Sequence, residues 1–357
     1  MKRIYIYALA LALFSGCNEG IDPISYVDPG PDMAAPEVTI DYPTEGTLIR
    51  VKEDVTPIEI KLQVVDDIEI ASISVMLDGS EINNFTSFKD YRIALEEFVY
   101  DNLTNGTHTL AVTGTDLAGK ATTSSVSFEK VAPYKPVYDG EIAYMPFDGD
   151  YMELVEITNA NKTGNPGFET GKIGKAYAGA TDAYVSLPTD NLMNTEFSAA
   201  FWYKVNADPD RAGILTMGPP DETNPTAMNN RTSGFRLFRE NAGGMQRVKL
   251  NVGNGSADSW FDGGAAADID PAAGDWIHIA FTISSTECVV YLDGQVASQG
   301  GFTGVDWSGC DILSIGSGAP RFTGWSHLSD NSLIDELRIF NKALGQTEIQ
   351  AIIDAEK

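Results

Sequence analysis

Trp276-Ile277-His278-Ile279-Ala280-Phe281-Thr282-Ile283-Ser284 carries two alternations at once. In an extended chain Ile277, Ile279, Phe281 and Ile283 fall on one side, and Trp276, His278, Ala280 and Thr282 on the other. Period two with apolar residues on both sides describes a strand covered on both faces, the inner strand of a two-layer sandwich. Related runs stand at Phe197 to Val205, Gly234 to Arg239, Val248 to Val252, Cys288 to Leu292, Ile312 to Ile315 and Leu333 to Phe340. One stretch reads as helix: Leu344, Ile349, Ile352 and Ile353 make a single apolar stripe that closes the fold. Trp202 and Trp276 read as core or inner-sheet residues, with His278 as a satisfied neighbour.

Upstream of this domain, residues 36–131 show a second set of short alternating runs, with Ile58, Ile60, Leu62 and Val64 on one face, then Ile73, Val75 and Leu77, then Leu110 and Val112. Turn signals at Asp78-Gly79, Asn105-Gly106 and Ala118-Gly119 separate them, which predicts a smaller β-sandwich. Residues 132–139, with Pro133 and Pro136, read as a stiff hinge before the domain at 140–357. Residues 17–35 carry Pro23, Pro29 and Pro31 and read as an extended tether. The chain opens with Lys2 and Arg3, an apolar run from Ile4 to Phe14 and a small-residue exit before Cys17, so residues 1–16 read as a secretion signal. The fold class is therefore all-β, two sandwiches in series behind an export signal.

Across 357 residues, 51 acidic side chains face 24 basic ones, a formal charge of −27. Such a balance argues against nucleic acid or an anionic lipid surface as ligand and leaves neutral sugars and cations admissible. Membrane association would rest on lipid attached to the chain.

Three resemblances follow. Leu13-Phe14-Ser15-Gly16-Cys17 resembles the bacterial lipobox, which implies a diacylated Cys17 and a lipid-anchored place at the outer membrane, on the cell surface or the periplasmic face. Val64-Val65-Asp66-Asp67, Met76-Leu77-Asp78-Gly79 and Thr115-Asp116-Leu117-Ala118-Gly119 resemble bacterial immunoglobulin-like modules, which implies a spacer. Tyr144 to Gly149, Gly171 to Tyr177, Phe197 to Lys204, Asp275 to Ala280, Tyr291 to Gly294 and Ile334 to Leu344 resemble, in order, the laminin-G-like jelly rolls of the concanavalin A-like lectin and glucanase superfamily. The segment Arg321 to Ser332 is longer than that pattern's usual link into the final strand.

Enzymes of that superfamily place two carboxylates on one strand so that both face a cleft. No Glu-x-Asp-x-x-Glu pattern occurs here; Glu153 with Glu156 and Asp268 with Asp270 lack the strand setting. A carbohydrate binder needs less: an aromatic ring for the apolar face of a pyranose and a few polar groups for its hydroxyls. Trp260, Trp307 and Trp325 lie in turn-like contexts, and Arg321 and His327 flank Trp325, so these five are the candidate ligand-binding residues. The resulting expectation is a non-enzymatic, lipid-anchored envelope protein that captures glycan, with partner proteins of a glycan-uptake system. An adhesin or structural protein-binding module is the alternative, and a glycoside hydrolase follows behind it.

The laminin-G resemblance also implies a structural Ca2+ at Asp148 and Asp335, where first and last strands meet. In the smaller sandwich Asp66, Asp67 and Asp116 read as calcium ligands or, more simply, as solvated turn residues. Cys288 and Cys310 open two different strands; an exported chain permits a disulfide between them, and two separate buried thiols are the other arrangement.

Overall fold

The computed structural model describes residues 30–357; the signal segment, the lipidation at Cys17 and the start of the tether lie outside the described residues. The chain divides into two compact units at Lys130–Val131, with Arg50–Asp54 grouped with the second. Among the described residues no helix is long and apolar enough to cross a membrane.

The first unit is a sandwich of strands β1 (Glu37–Tyr42), β2 (Val55–Val65), β3 (Ile70–Leu77), β4 (Ser80–Phe85), β5 (Ile93–Thr104), β6 (Gly106–Asp116) and β7 (Ala121–Lys130). One sheet has the order β1-β2-β5, and the other β7-β6-β3-β4 with Leu48–Ile49 beside β7. The alternation read from the sequence puts Ile58, Ile60, Leu62 and Val64 of β2 against Ile73, Val75, Leu110 and Val112 in one core. Asp66 and Asp116 are buried rather than solvated. An oxygen of Asp66 accepts the amides of Ile68 and Glu69 at 2.9 and 2.6 Å, and one of Asp116 accepts that of Lys120 at 2.8 Å, so both fasten turns. Strand β5 is the edge of its sheet and points Ile93, Leu95 and Val99 outward.

The second unit packs two eight-stranded sheets face to face. Its principal strands are β8 (Glu141–Met145), β9 (Lys175–Ala178), β10 (Tyr184–Pro188), β11 (Phe197–Lys204), β12 (Arg211–Met217), β13 (Phe235–Ala242), β14 (Met245–Gly253), β15 (Asp258–Asp262), β16 (Ile277–Ile283), β17 (Glu287–Leu292), β18 (Gln295–Gly301), β19 (Ile312–Ile315) and β20 (Leu333–Phe340). The front sheet runs β10-β19-β12-β13-β14-β15 from an edge piece at Asn161–Thr163. The back sheet runs β9-β20-β11-β16-β17-β18, with β8 on β20. Phe197, Phe201, Phe235, Leu250, Phe281, Val290, Ile315 and Ile339 fill the space between them.

The opening stretch behaves as its two alternations require. Ile279, Phe281 and Ile283 enter the central core, while Ala280 with Trp202 and Tyr291 faces the opposite way, under helix α1 (Gln346–Ala355). Ile349, Ile352 and Ile353 of that helix close the outer face of the back sheet. His278 shares this layer, edge-on to Trp202 at 5.2 Å, but neither ring nitrogen has a hydrogen-bond partner among the described residues. In place of the expected satisfied histidine stands one without a protein partner, and burial pushes its pKa down to about 3. On the same face Arg338 donates to Glu141, Glu356 and Glu336 at 2.6, 2.8 and 3.1 Å and lies over the ring of Tyr144. Trp202 Nε1 donates to the other oxygen of Glu356 at 2.9 Å.

Candidate functional site

The front sheet's outer face is covered by loops instead of a helix. Phe238 points outward from β13. Over it lies the segment between β19 and β20, the long link noted in the sequence. Its residues Phe322 and His327 are buried and stack on each other at 4.8 Å with 13° between planes, and His327 meets the ring of Phe238 at 4.6 Å. His327 shares a hydrogen bond of 3.1 Å with Glu240, and burial holds its pKa down to about 4. Between Trp325 and His327 the chain turns through Ser326 in the left-handed region, φ 62°, which sends one ring outward and the next inward.

Trp325 therefore surfaces directly beside Trp260 of β15. Their rings stack at 5.5 Å and 21°, and each remains about two-fifths exposed, 39% and 42%. The Arg231 guanidinium lies 4.7 Å from the Trp325 ring centre and 5.7 Å from that of Trp260. Arg231 Nε donates to Asp258 at 3.0 Å, and Asn251 Nδ2 donates to the same oxygen at 2.7 Å. Next to this shelf opens a cavity of about 580 Å3 lined by Pro219, Asp221, Asn230, Arg231, Thr232 and Asp258. The loop between β12 and β13 forms its wall, and Asp221 organises that loop by accepting from Thr223 Oγ1 and the amides of Asn224 and Asn229. The two loops are one roof: Thr323 donates its amide to Met228 O at 3.1 Å and its hydroxyl to Ala227 O at 3.2 Å. An apolar shelf with an ion pair at its edge and a polar cavity beside it can hold a flat ring and read polar groups around it.

Of the five residues expected to bind ligand, the fold brings only Trp260 and Trp325 together. Trp307 is an end cover of the core: it packs on Phe197 and Phe235 at 5.6 and 6.2 Å and donates Nε1 to Asn194 O at 2.7 Å. Arg321 pairs with Asp311 at 2.6 Å rather than with the indoles. His327 is the buried underside of the shelf, its ring 6.4 Å from that of Trp325. Arg231 and Asp258 were missed, since only the pairing of β14 with β15 and the course of the roof loop bring 231, 258 and 325 together. An arginine four residues before the conspicuous Phe235–Arg239 run offered no signal of its own.

At the back-sheet edge, Asp148 and Asp335 face the turn Gly171–Lys175 from two sides. Asp148 accepts the Lys175 amide at 2.8 Å; Asp335 accepts those of Ile173 and Glu336 at 2.9 and 3.0 Å. A β-bulge with Glu336 at φ 53° puts Ile334 and Leu337 in the core three residues apart. Burial pushes the Asp335 pKa up to about 7, with Glu336 adding repulsion. A Cβ at Gly171 would meet Asp335 Oδ2 and Ile173 O at 2.6 Å each, so oxygens of the kind Ca2+ takes converge beside that glycine. Among the described residues no group of three or more His, Cys, Asp or Glu side chains could hold a metal, so any ion here would need main-chain oxygens. Cys288 and Cys310 are both buried free thiols, and the bridge expected as possible for an exported chain is not formed.

Residues 179–350 match the family model described as the concanavalin A-like lectin/glucanases superfamily, and residues 36–112 match that of the bacterial Ig domain. No curated protein matches the chain. Among solved structures, domain 4 of a GH43 extracellular arabinanase from Geobacillus stearothermophilus, in complex with arabinotriose, is 21% identical, with a TM-score of 0.45 over 59% of this chain and 97% of that one. The binding domain of botulinum neurotoxin DC in complex with SialylT is 14% identical, with a TM-score of 0.43 over 61% of this chain. The chain spans about half, 52%, of that toxin domain's length.

Proposed function

From a second domain that is a laminin-G-like jelly roll of the concanavalin A-like superfamily, standing behind a bacterial Ig domain, we propose that this protein captures glycan at the Trp260–Trp325 shelf. The observation that carries the reading is the stacked, half-open indole pair with Arg231 and Asp258 at its edge. Two large rings left in water on a domain with a filled core need a use, and a pyranose face supplies one. The Ig domain serves as spacer and the lipidated Cys17 as anchor at the outer membrane, and the captured glycan passes to partner proteins of an uptake system. The reading is of a binder rather than an enzyme: Glu153 accepts the amides of Tyr144, Val155 and Glu156, and Asp268 pairs with Arg247, so one acid of each pair that the sequence offers is employed in structure. Calcium at Asp148 and Asp335 is part of the same proposal, supported by the oxygens beside Gly171.

A protein-binding adhesin is the second reading, favoured by Ile93, Leu95 and Val99 on the open edge strand of the Ig domain. A glycan array with the soluble fragment from Pro36 onward, repeated with Trp260→Ala, separates the two. Glycan retention lost in the variant upholds the shelf; no retention of any glycan by the native fragment overturns it. For the anchor, palmitate labelling that persists in Cys17→Ser would overturn lipidation.

A further inference from the structure

The outer face of the front sheet holds a row of polar residues in direct cross-strand register. Ser186 lies opposite Ser314, Ser314 opposite Thr216, Thr216 opposite Arg236, Arg236 opposite Asn251, and Asn251 opposite Trp260. Each sits between residues that face the core, as Arg236 does between Phe235 and Leu237, so the whole row points away from the core, under the roof. Ser314, Thr216, Arg236 and Asn251 are completely buried. Yet the Ser314 and Thr216 hydroxyls, Arg236 Nε and Asn251 Oδ1 have no hydrogen-bond partner among the described residues. Four orphaned polar atoms on four neighbouring strands are far from the usual satisfaction of buried groups.

Arg236 is the most exceptional of them, because among the described residues no carboxylate touches it. Its other two nitrogens donate to main-chain carbonyls, NH1 to Ser233 at 2.7 Å and NH2 to Asn230 at 2.5 Å. The neighbouring acid, Asp258, is already held by Arg231 and Asn251. A buried guanidinium without an anion is unfavourable unless one arrives. Consistently, burial pushes its pKa down to about 10, whereas the buried Arg239, which has Asp330 at 2.8 Å, is shifted upward.

We propose that this row receives one anionic substituent of a sugar, a carboxylate or a sulfate ester, on Arg236 Nε and the Thr216 hydroxyl. Asn251 Oδ1 then accepts a neighbouring sugar hydroxyl, and the ring reaches Trp260 one strand further on. Strand spacing of about 4.8 Å makes each step about the width of a pyranose. The strap Asn230–Ser233 stands between this row and the cavity of about 580 Å3, which Asn230 and Thr232 also line. To admit the anion to Arg236 Nε and the Thr216 hydroxyl, the strap moves outward. With a net charge of −27 the chain repels polyanions at long range, so selection depends on these short-range donors. The inference rests on the glycan reading and narrows it to acidic sugars.

The test is calorimetric titration of the full chain with oligogalacturonate, oligoalginate and a chondroitin oligosaccharide, each beside its carboxyl-reduced or desulfated counterpart, and with inorganic sulfate alone. The expected result is at least one acidic sugar bound about tenfold or more tightly than its neutral counterpart, as a charge-assisted hydrogen bond would give. Thr216→Val removes a hydroxyl without changing shape and should erase that margin by weakening the acidic sugar; Arg236→Lys should do the same. Equal binding of acidic and neutral forms, a margin that survives Thr216→Val, or sulfate bound with no acidic sugar overturns the inference and leaves the shelf intact. Binding of neither acidic nor neutral sugar overturns the glycan reading as well.

Discussion

The two outer faces of the jelly roll were given opposite treatments. Behind the back sheet, α1 lays Ile349, Ile352 and Ile353 over Trp202 and Ala280, and the one arginine at its margin is clasped by three glutamates. In front, the roof is loop, its rim is two exposed indoles, and its buried row leaves four polar atoms without partners. A face closed by apolar packing and ion pairing, with His278 as its exception, contributes to stability; a face closed by loops over a row of unmet hydrogen bonds forgoes some of it. The difference teaches where to look for ligand in a sandwich whose sheets are equal in size, because polar groups left unsatisfied under movable chain are worth more to a ligand than to the fold.

The contrast can be broken most severely at Arg338. Arg338→Ala leaves Glu141, Glu336 and Glu356 buried without their cation, and should lower stability by about 3–5 kcal/mol in a denaturant titration. Glycan retention by the protein that remains folded should be unchanged; a stable variant would show that the back face is not the structural one. Next in size is the proposed calcium. Saturating ion at about a hundredfold over its dissociation constant would stabilise by about 2.7 kcal/mol, so excess chelator should lower the melting temperature and added Ca2+ restore it. An unmoved melting curve with no calcium by elemental analysis retires the ion.

At the front rim, Trp325→Ala should weaken glycan binding by about 1–3 kcal/mol while the melting transition stays close to wild type, since the ring is already 39% exposed. Large destabilisation with unchanged affinity would make the shelf a mere cover. The smallest effect, read over the first pH unit below neutrality, concerns acid. His278 behind and His327 in front are both pushed below their ordinary pKa of 6.5 by burial, to about 3 and about 4. In the unfolded chain they take up protons first, so their contribution is full above about pH 6.5 and fades as pH falls toward 4, by up to about 1.4 kcal/mol per pH unit for each. Asp335, held up to about 7, acts in the opposite sense, so the measurement is the difference between wild type and His278→Phe. Identical pH slopes for the two proteins would mean that His278 is hydrated.

How much of this was readable beforehand follows from what sequence encodes. Alternation fixes which side of a strand is wet, so Ile58 to Val64 and Ile279 to Ile283 were legible, as was the apolar stripe of α1. Alternation says nothing about loops. Trp307 and Trp325 stand in the same kind of turn-rich context, yet one ring turns in to donate to Asn194 and the other turns out onto Trp260. The polar row was illegible for a stronger reason: Ser186, Thr216, Arg236, Asn251 and Ser314 are scattered polar positions in five separate strands, aligned only by non-local register. His278 shows the converse error, a polar residue in a strand read as satisfied when its layer offers it no partner.

Arg338 has one more consequence. Glu141 belongs to the first strand of the jelly roll and Glu356 caps α1, its closing helix, and both grip the same guanidinium. The domain therefore begins and ends at one spot. A linker of a few residues could join residue 357 to residue 140, and new termini could be opened at a surface turn such as Ser284–Thr286, giving a circular permutant with every sheet neighbour preserved. The same geometry suits the unit to insertion within a host chain, like a bead threaded through a single hole, without separating the host segments on either side.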